Sequence, residues 1–424
     1  MTYTTQEAVA RLRAYGRTLK PDLVRPARGI LRREYLSAGI GETYPDLTDW
    51  DAVWAGIGFL LEGDPDPLRC SLLNLIDHIA PDGKGQRRIG FAGYSAHPYQ
   101  IRPFLTSGCY ALSRRVGCDW LDELALDRLD RYLLYWHTHR TGRTGLMRWL
   151  HVDEGFADNG LANWAWEESA VEATDLNAQL VREHIALAWI LDECGRSERA
   201  SEHRELATRL VQRIEAVLWQ DEFGGYCSLY NPPQRFGQCT PIRVRHYTNL
   251  WPLWVGIAPR GRACRVIEEQ VLDPSRFRSP FGVRSMAASE PHFNNMHFGY
   301  LNPMSGAPQA GVVTQSACSN WQGPVWAVPA WLAVMAMRRY GYGSEAKSLA
   351  ADYLQFLAGR LDRDGGFAEN YHSETGEPLH AMGMGSWYML IWRLAEGADD
   401  DLFPAWPQEL RSSLSPIGKG HRQG

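Results

Sequence analysis

The sequence predicts an all-α fold built from helices in successive pairs, and three observations carry that reading. Apolar residues recur three and four positions apart through most of the chain, the period of a helix with one buried face. Sustained alternation of the kind a half-buried strand needs is scarce; "GGYCSLY" (224–230) is the best short candidate. No motif repeats at a fixed interval, so the pairs suit either a solenoid or a closed double-layer α/α barrel.

In chain order the helical segments are "TTQEAVARLRAYGRTL" (4–19), "DPLRCSLLNLIDHIA" (66–80), "YQIRPFLTSGCYALSRRV" (99–116) and "LDELALDRLDRYLLYWHTH" (121–139). "DLNAQLVREHIALAWILDECG" (175–195) and "SERASEHRELATRLVQRIEAVLW" (197–219) follow. "PVWAVPAWLAVMAMRRYG" (324–341), "SEAKSLAADYLQFLAGRL" (344–361) and "SWYMLIWRLAEG" (386–397) close the series. Weaker segments at 49–62, 249–258 and 262–272 bring the count to about a dozen. Long loops rich in Trp, Asn, Asp and Gly lie at 81–98, 140–171, 220–248, 280–320 and 363–385. Long loops inside a compact domain tend to be functional, and gathered at one end of a barrel they would build a polar, aromatic pocket. No linker divides the chain, so residues 1–410 read as one domain and 411–424 as a frayed tail.

Hydrophobic residues at 45% and charged residues at 22% suit a globular protein with a real core. With 44 basic and 49 acidic residues, a net charge of −5 and no Lys/Arg block, neither nucleic acid nor an anionic membrane is an expected partner. No apolar run reaches the roughly 18 residues of a membrane span, and residues 1–20 lack the pattern of a signal peptide. The eight cysteines form no C-x-x-C pair, which favours reduced thiols over a zinc site or disulfide frame. The expectation is a soluble cytoplasmic protein whose oligomeric state the sequence leaves open.

Seventeen Trp and eighteen Tyr, many beside polar residues, suit the apolar face and hydroxyl rim of a sugar, although aromatics also simply fill cores. Two acidic loops stand out. "GLMRWLHVDEGFADNGLANWAWEE" (145–168) holds Asp158 between apolar neighbours, an environment that keeps a carboxyl protonated toward neutral pH, as a general acid requires. "GGFAENYHSETG" (365–376) holds Glu369, a candidate base, and Glu374, which falls in the Thr-Gly turn. Two such carboxyls are the equipment of glycoside hydrolysis. "RVRHYTN" (243–249) offers Arg243, Arg245 and His246, which could grip a carboxylate or merely face water. His292 and His297 lack a carboxylate frame at ligand spacing, so neither a metal nor any other cofactor is expected.

Seven strips taken in order resemble glycoside hydrolase family 63, in particular its bacterial mannosylglycerate and glucosylglycerate hydrolase-like branch, and more remotely family 37 trehalases. They are "DWDAVW" (49–54), "YSAHPYQIRPFL" (94–105), "EGFADNG" (154–160), "ATDLNAQLVRE" (173–183), "YTNLWPLWVGIA" (247–258), "SNWQGPVWAVPAWL" (319–332) and "FAENYHSETGE" (367–377). The resemblance implies an (α/α)6 barrel, which agrees with the helix count, and an inverting hydrolase of a small α-glycoside. It implies Asp158 as general acid and Glu369 as general base, with Tyr371 positioning water or sugar. Inversion implies carboxyls roughly 6.5–9.5 Å apart. Trp50, Asp51, Tyr94, His97, Asn159, Trp321, Gly323 and Trp326 fall at positions implied to meet the sugar, and Arg243 is added from the basic cluster. His97, Gln322, His372 and Gly155-Phe156-Ala157 depart from the family pattern at positions that shape the walls of the site. The rival readings are a sugar isomerase or epimerase on a similar barrel, which would rely on paired histidines, and a non-catalytic sugar-binding protein.

Overall fold

The computed structural model describes residues 3–90, 93–94, 99–158, 160–165, 167–235, 237, 239–297, 319–407 and 409–410, so His97, Asn159 and the predicted tail lie outside the described residues. Among those described, nine helices have twelve residues or more: α1 Thr5–Thr18, α2 Asp49–Leu61, α3 Asp66–Asp77, α4 Leu105–Val116, α5 Glu123–His139, α6 Thr174–Glu193, α7 Ser197–Val217, α8 Ala327–Tyr340 and α9 Gly343–Asp364. Short helices at Trp251–Val255 and Arg260–Val266 replace two of the weaker predicted segments. The strands are mostly two residues long and form small antiparallel sheets, "GGYCSLY" contributing to two of them.

Two kinds of helix occur. In α1, α3, α7 and α9 one face is buried and the other is charged; α1 opens with a capping box in which Thr4 and Glu7 exchange hydrogen bonds. By contrast, α2 is buried from Asp49 to Leu60 on every side, which is why its periodicity is weak in the sequence. The buried helices form a succession: α2 packs on α4, α4 on α6, α6 on Trp251–Val255, and that turn on α8. The 3-10 turn Ser386–Met389 touches both α8 and α2 and so completes the circuit.

That last segment differs from the helix predicted over 386–397: it is two 3-10 turns, Ser386–Met389 and Ile391–Ala395. The backbone N–H groups of Gly385 and Ser386 donate to the carbonyl of Ala38 at 2.9 Å, so a neighbouring segment holds the start of the turn. Residues 368–371, predicted as loop, are strand. Ala368–Tyr371 pairs with Pro378–Met382 in a hairpin with a bulge between Asn370 and Tyr371. All four residues of the first strand are buried, so no polar alternation marks it.

Tryptophans make the centre. Trp54 stacks on Phe104 at 5.5 Å and on Trp254 at 6.2 Å, with Phe403 at 5.2 Å. Beneath Trp254 lies the guanidinium of Arg182, 3.7 Å from the ring centre. The nearby carboxylate of Asp399 accepts from the indole N–H groups of Trp254 and Trp331 at 2.7 and 2.8 Å.

Between α5, α6 and α7 runs a chain of three imidazoles: His137 Nε2 to His184 Nε2 at 2.8 Å, His184 Nδ1 to His203 Nδ1 at 2.9 Å, and His203 Nε2 to Asp130 at 2.9 Å. Asp130 accepts from His203, so His203 accepts from His184 and His184 from His137; each contact needs one proton, and the chain is satisfied with all three rings neutral. Burial, with neighbouring positive charge, depresses His137 to about 4 and His184 well below its ordinary value. The unfolded chain therefore binds more protons below pH 6.5. Stability present above that pH is lost as pH falls toward about 4, by about 2–3 kcal/mol for His137. Urea unfolding at pH 7.5 and 4.5 is expected to show this loss, and His137→Leu to shrink it; an equal loss in both proteins would refute it.

Candidate active site

The loop 39–44 lies on the far strand of the hairpin: Ile40 N donates to Gly383 O at 2.9 Å and Thr43 Oγ1 to Met382 O at 3.2 Å. This holds Tyr44, whose φ of +47° is a left-handed conformation rare for an aromatic residue. Its hydroxyl donates to Glu369 Oε2 at 3.0 Å. Burial, then the Glu369 charge, push the Tyr44 phenol upward, so it keeps its proton and donates. Ser319 Oγ donates to Glu369 Oε1 at 2.9 Å. Across the hairpin, in register with Asn370, His380 places Nε2 3.4 Å from Glu369 Oε2.

The start of α2 supplies the next acids. The helix begins at Asp49 and Thr48 is its N-cap, so Asp51 is inside the first turn and caps nothing. Asp49 accepts from Arg102 N at 2.7 Å and Arg102 Nε at 3.1 Å, which sets the guanidinium over Trp50, 4.9 Å from the ring centre. Asp51 accepts from Ser386 Oγ at 2.7 Å. Burial raises Asp51 to about 6, against the pull of Arg102 and Ser386.

The loop before α6 presents Asp158. Buried Glu154 pins it, accepting from Gln100 N at 2.8 Å and from Arg140 Nη2 at 3.1 Å. Phe156 stacks on Trp251 at 4.4 Å, and its carbonyl accepts from Tyr247 Oη at 2.9 Å. Asp175 secures the far end, accepting from Trp149 Nε1 and Asn163 Nδ2. The apolar neighbours thus point into the core and do not enclose the acid: the Asp158 side chain is 41% exposed, with Arg87 Nη2 3.5 Å from Oδ2. Arg87 is placed there by the start of α2, since its carbonyl, just before the strand Arg88–Gly90, accepts from Asp49 N at 3.0 Å.

These elements make one electrostatic unit. Burial raises Glu369 to about 8; the charges of Asp158 and Asp51 push the same way, while Ser319 and Tyr44 oppose them. The structure therefore brings Asp158, Glu369, Asp51 and the Arg102 that covers Trp50 to one place. The other aromatic candidates pack among themselves. Trp321 stacks on Trp326 at 3.6 Å and on Tyr247 at 5.1 Å, and Trp326 Nε1 donates to Asn320 O. At Gly323 a Cβ would stand 2.2 Å from Asn294 O, so the strip can pass only as glycine. Tyr371 is buried edge-on to Phe356, its hydroxyl accepting from Ala368 N at 3.0 Å. Tyr94 is half exposed beside His78.

The two arginines of the basic cluster are paired with acids, and its histidine is buried behind the Asp158 loop, close to Gly160. Arg243 is 3.4 Å from Glu222 on an exposed edge, Arg245 is 3.3 Å from Glu290, and His246 Nε2 meets Trp321 O at 2.9 Å. Glu374 holds Arg284 at 2.8 Å. Sequence reasoning did not find Tyr44, Arg87, Arg102, Ser319 or His380. Three of them left a signal: Arg102 and Ser319 lie in the motif strips 94–105 and 319–332, and the Thr-Gly turn at 375–376 folds the strand of His380 back beside Glu369.

Residues 110–387 match the family described as the mannosylglycerate hydrolase MGH1-like glycoside hydrolase domain. The chain belongs to that family. A mannosylglycerate hydrolase of Rubrobacter radiotolerans is 28% identical over 210 residues, 50% of this chain and 39% of that relative, so the match spans well under half of the relative's length. The crystal structure of a GH63 mannosylglycerate hydrolase from Thermus thermophilus in complex with glucose superposes with a TM-score of 0.67 at 18% identity, covering 91% of this chain and 99% of that one. Neutral trehalase of Saccharomyces cerevisiae follows at 0.61 and 19%, covering 90% and 75%. At these identities the structural likeness speaks for the helix-rich fold that this glycoside hydrolase domain shares with them. Asp158 and Glu369 both lie within the matched residues.

Proposed function

We propose that the protein is an inverting glycoside hydrolase of a small α-glycoside, in which Asp158 protonates the leaving oxygen and Glu369 takes a proton from the attacking water. The observation that carries this reading is the electrostatic meeting of two carboxyls, Asp158 on the loop before α6 beside Arg87 and Glu369 on a buried hairpin strand with Tyr44 and Ser319 as donors. The closed succession of buried helices, wrapped by helices with one polar face, supports an (α/α)6 barrel with the site at one end. We place Asp51 at a sugar hydroxyl and Trp50 at the floor of the site. On the leaving-group side we place Arg87, beside the acid, in preference to Arg243 and Arg245, which are paired elsewhere.

Arg87 favours an aglycone that carries a carboxylate, which Arg binds bidentately. The names of the relatives point the same way, toward mannosylglycerate, with glucosylglycerate and short α-glucosides as the neighbouring choices. Among the described residues no helix is long and apolar enough to cross a membrane, which is compatible with work in the cytoplasm.

The test is time-resolved proton NMR with mannosylglycerate, glucosylglycerate, trehalose and kojibiose. The expected result is release of the β-anomer first, with the acidic aglycones preferred. Initial α-anomer would remove Glu369 as a base acting on water, and no cleavage of any of the four would remove the substrate assignment.

One observation favours a second assignment of the same two residues. A carboxyl raised to about 8 is mostly protonated at neutral pH, whereas a base must be ionised. With Asp158 partly exposed and held by Arg87, the roles could be exchanged, Glu369 acting as acid and Asp158 as base.

A further inference from the structure

We propose that His380 is a positioning residue that acts through Glu369: it receives the proton that Glu369 takes from water and passes it to solvent, resetting the base for the next turnover. This rests on Glu369 being the base of the proposed hydrolysis. In that reaction the water oxygen bonds to the anomeric carbon, the water proton goes to Glu369, and the glycosidic C–O bond breaks as Asp158 protonates the leaving oxygen. Glu369 is then a neutral, buried acid that must lose a proton before it can act again.

Among the described residues around Glu369, His380 offers a neutral nitrogen that can take a further proton. Tyr44 Oη, Glu369 Oε2 and His380 Nε2 form a triangle with sides of 3.0, 3.4 and 3.5 Å. The hydroxyls of Tyr44 and Ser319 already carry a proton and can only pass one along. Asp158 and Asp51 are acids whose charge opposes ionisation of Glu369. The imidazole has a basic lone pair in the neutral range. Burial, and then His297, keep His380 below its ordinary value, so the ring is neutral; with Glu369 raised to about 8 the transfer runs uphill, and the short-lived imidazolium hands its proton on to water.

His380 also lies on a route outward. The hairpin strand runs from buried Leu379 through His380, whose side chain is 12% exposed, to Met382, which is 43% exposed. In the transfer the proton moves from Oε2 to Nε2, the electron pair stays on the carboxylate, and the imidazolium releases the proton to water. Asp158 regains its own proton from solvent, so nothing is oxidised or reduced and no further reactant is needed.

The test uses His380→Gln and His380→Asn in the full chain with two readouts. The first is turnover of whichever glycoside the wild type cleaves. The expected result is a fall in kcat of about tenfold or more with KM little changed, reversed by added imidazole. The second readout needs no activity: infrared titration of the Glu369 carboxyl, isolated by subtracting Glu369→Gln, is expected to move to lower pH in the His380 variants, because an acceptor facing the carboxyl favours its protonated form. A normal kcat, or a loss that imidazole does not restore with the carboxyl titration unmoved, would overturn the proposal. If the wild type cleaves nothing, the hydrolase reading fails separately and with it the turnover role; an unmoved titration would then also refute the proton coupling.

Discussion

Asp158→Asn is expected to lose about 10²–10⁴ in kcat/KM on a natural glycoside and to keep most of its rate on the matching α-glycosyl fluoride. Fluoride leaves without a proton, so removing a general acid spares that substrate. Glu369→Gln is expected to lose both, because every inverting hydrolysis needs the water activated. The opposite pattern would assign the acid to Glu369 and the base to Asp158. The pH profile separates the same two cases. With Glu369 as base, activity rises with pH until the carboxyl is ionised near 8; with Glu369 as acid, activity falls above that value. Retention of both activities in both variants would remove these residues from the mechanism.

Asp399→Ala is expected to lower the unfolding free energy by about 3–5 kcal/mol, read from urea denaturation near neutral pH. The carboxylate is fully buried, takes two indole N–H donors from Trp254 and Trp331, and lies 3.8 Å from Arg339. It also acts on Arg182, a fully buried guanidinium that burial depresses to about 9 despite that help. Truncation leaves a buried cation with less compensation and two donors without an acceptor. The desolvation of both ions is already met in the native state, so what the variant loses is the attraction and the hydrogen bonds, and that loss dominates. Arg182→Met combined with Asp399→Leu is expected to be less destabilised than Asp399→Ala alone. A drop below about 1 kcal/mol for Asp399→Ala would mean that water or Arg339 takes over its role.

Much of the architecture is legible because helices with one polar face announce themselves. The spans of α1, α5, α7 and α9 can be read from local periodicity, since each residue's exposure depends mainly on its own turn. The 386–397 segment departs from its helical reading where Gly385 and Ser386 donate to the carbonyl of Ala38, while the all-buried α2 is weak in the sequence because a helix enclosed on every side carries no amphipathic signal. The hairpin that carries Glu369 reads as loop for the same reason. Asp158 and Glu369 are singled out by their motif setting, yet the reason offered for Asp158, its apolar neighbours, does not hold. Adjacent side chains point in different directions, so Phe156 and Ala157 line the core while the acid faces Arg87.

The sequence by itself determined a helix-rich chain with long polar-aromatic loops and marked the two loops that bear the candidate carboxyls, because helical period, turn residues and motif order are local properties. Only the tertiary structure decided which groups surround those carboxyls. Tyr44 and Ser319 reach Glu369 across 325 and 50 residues of chain, and Arg87 reaches Asp158 with its own carbonyl held by Asp49 N. The charge state of a buried carboxyl depends on what lies within a few ångströms of it, and that distance is set by packing between segments far apart in sequence.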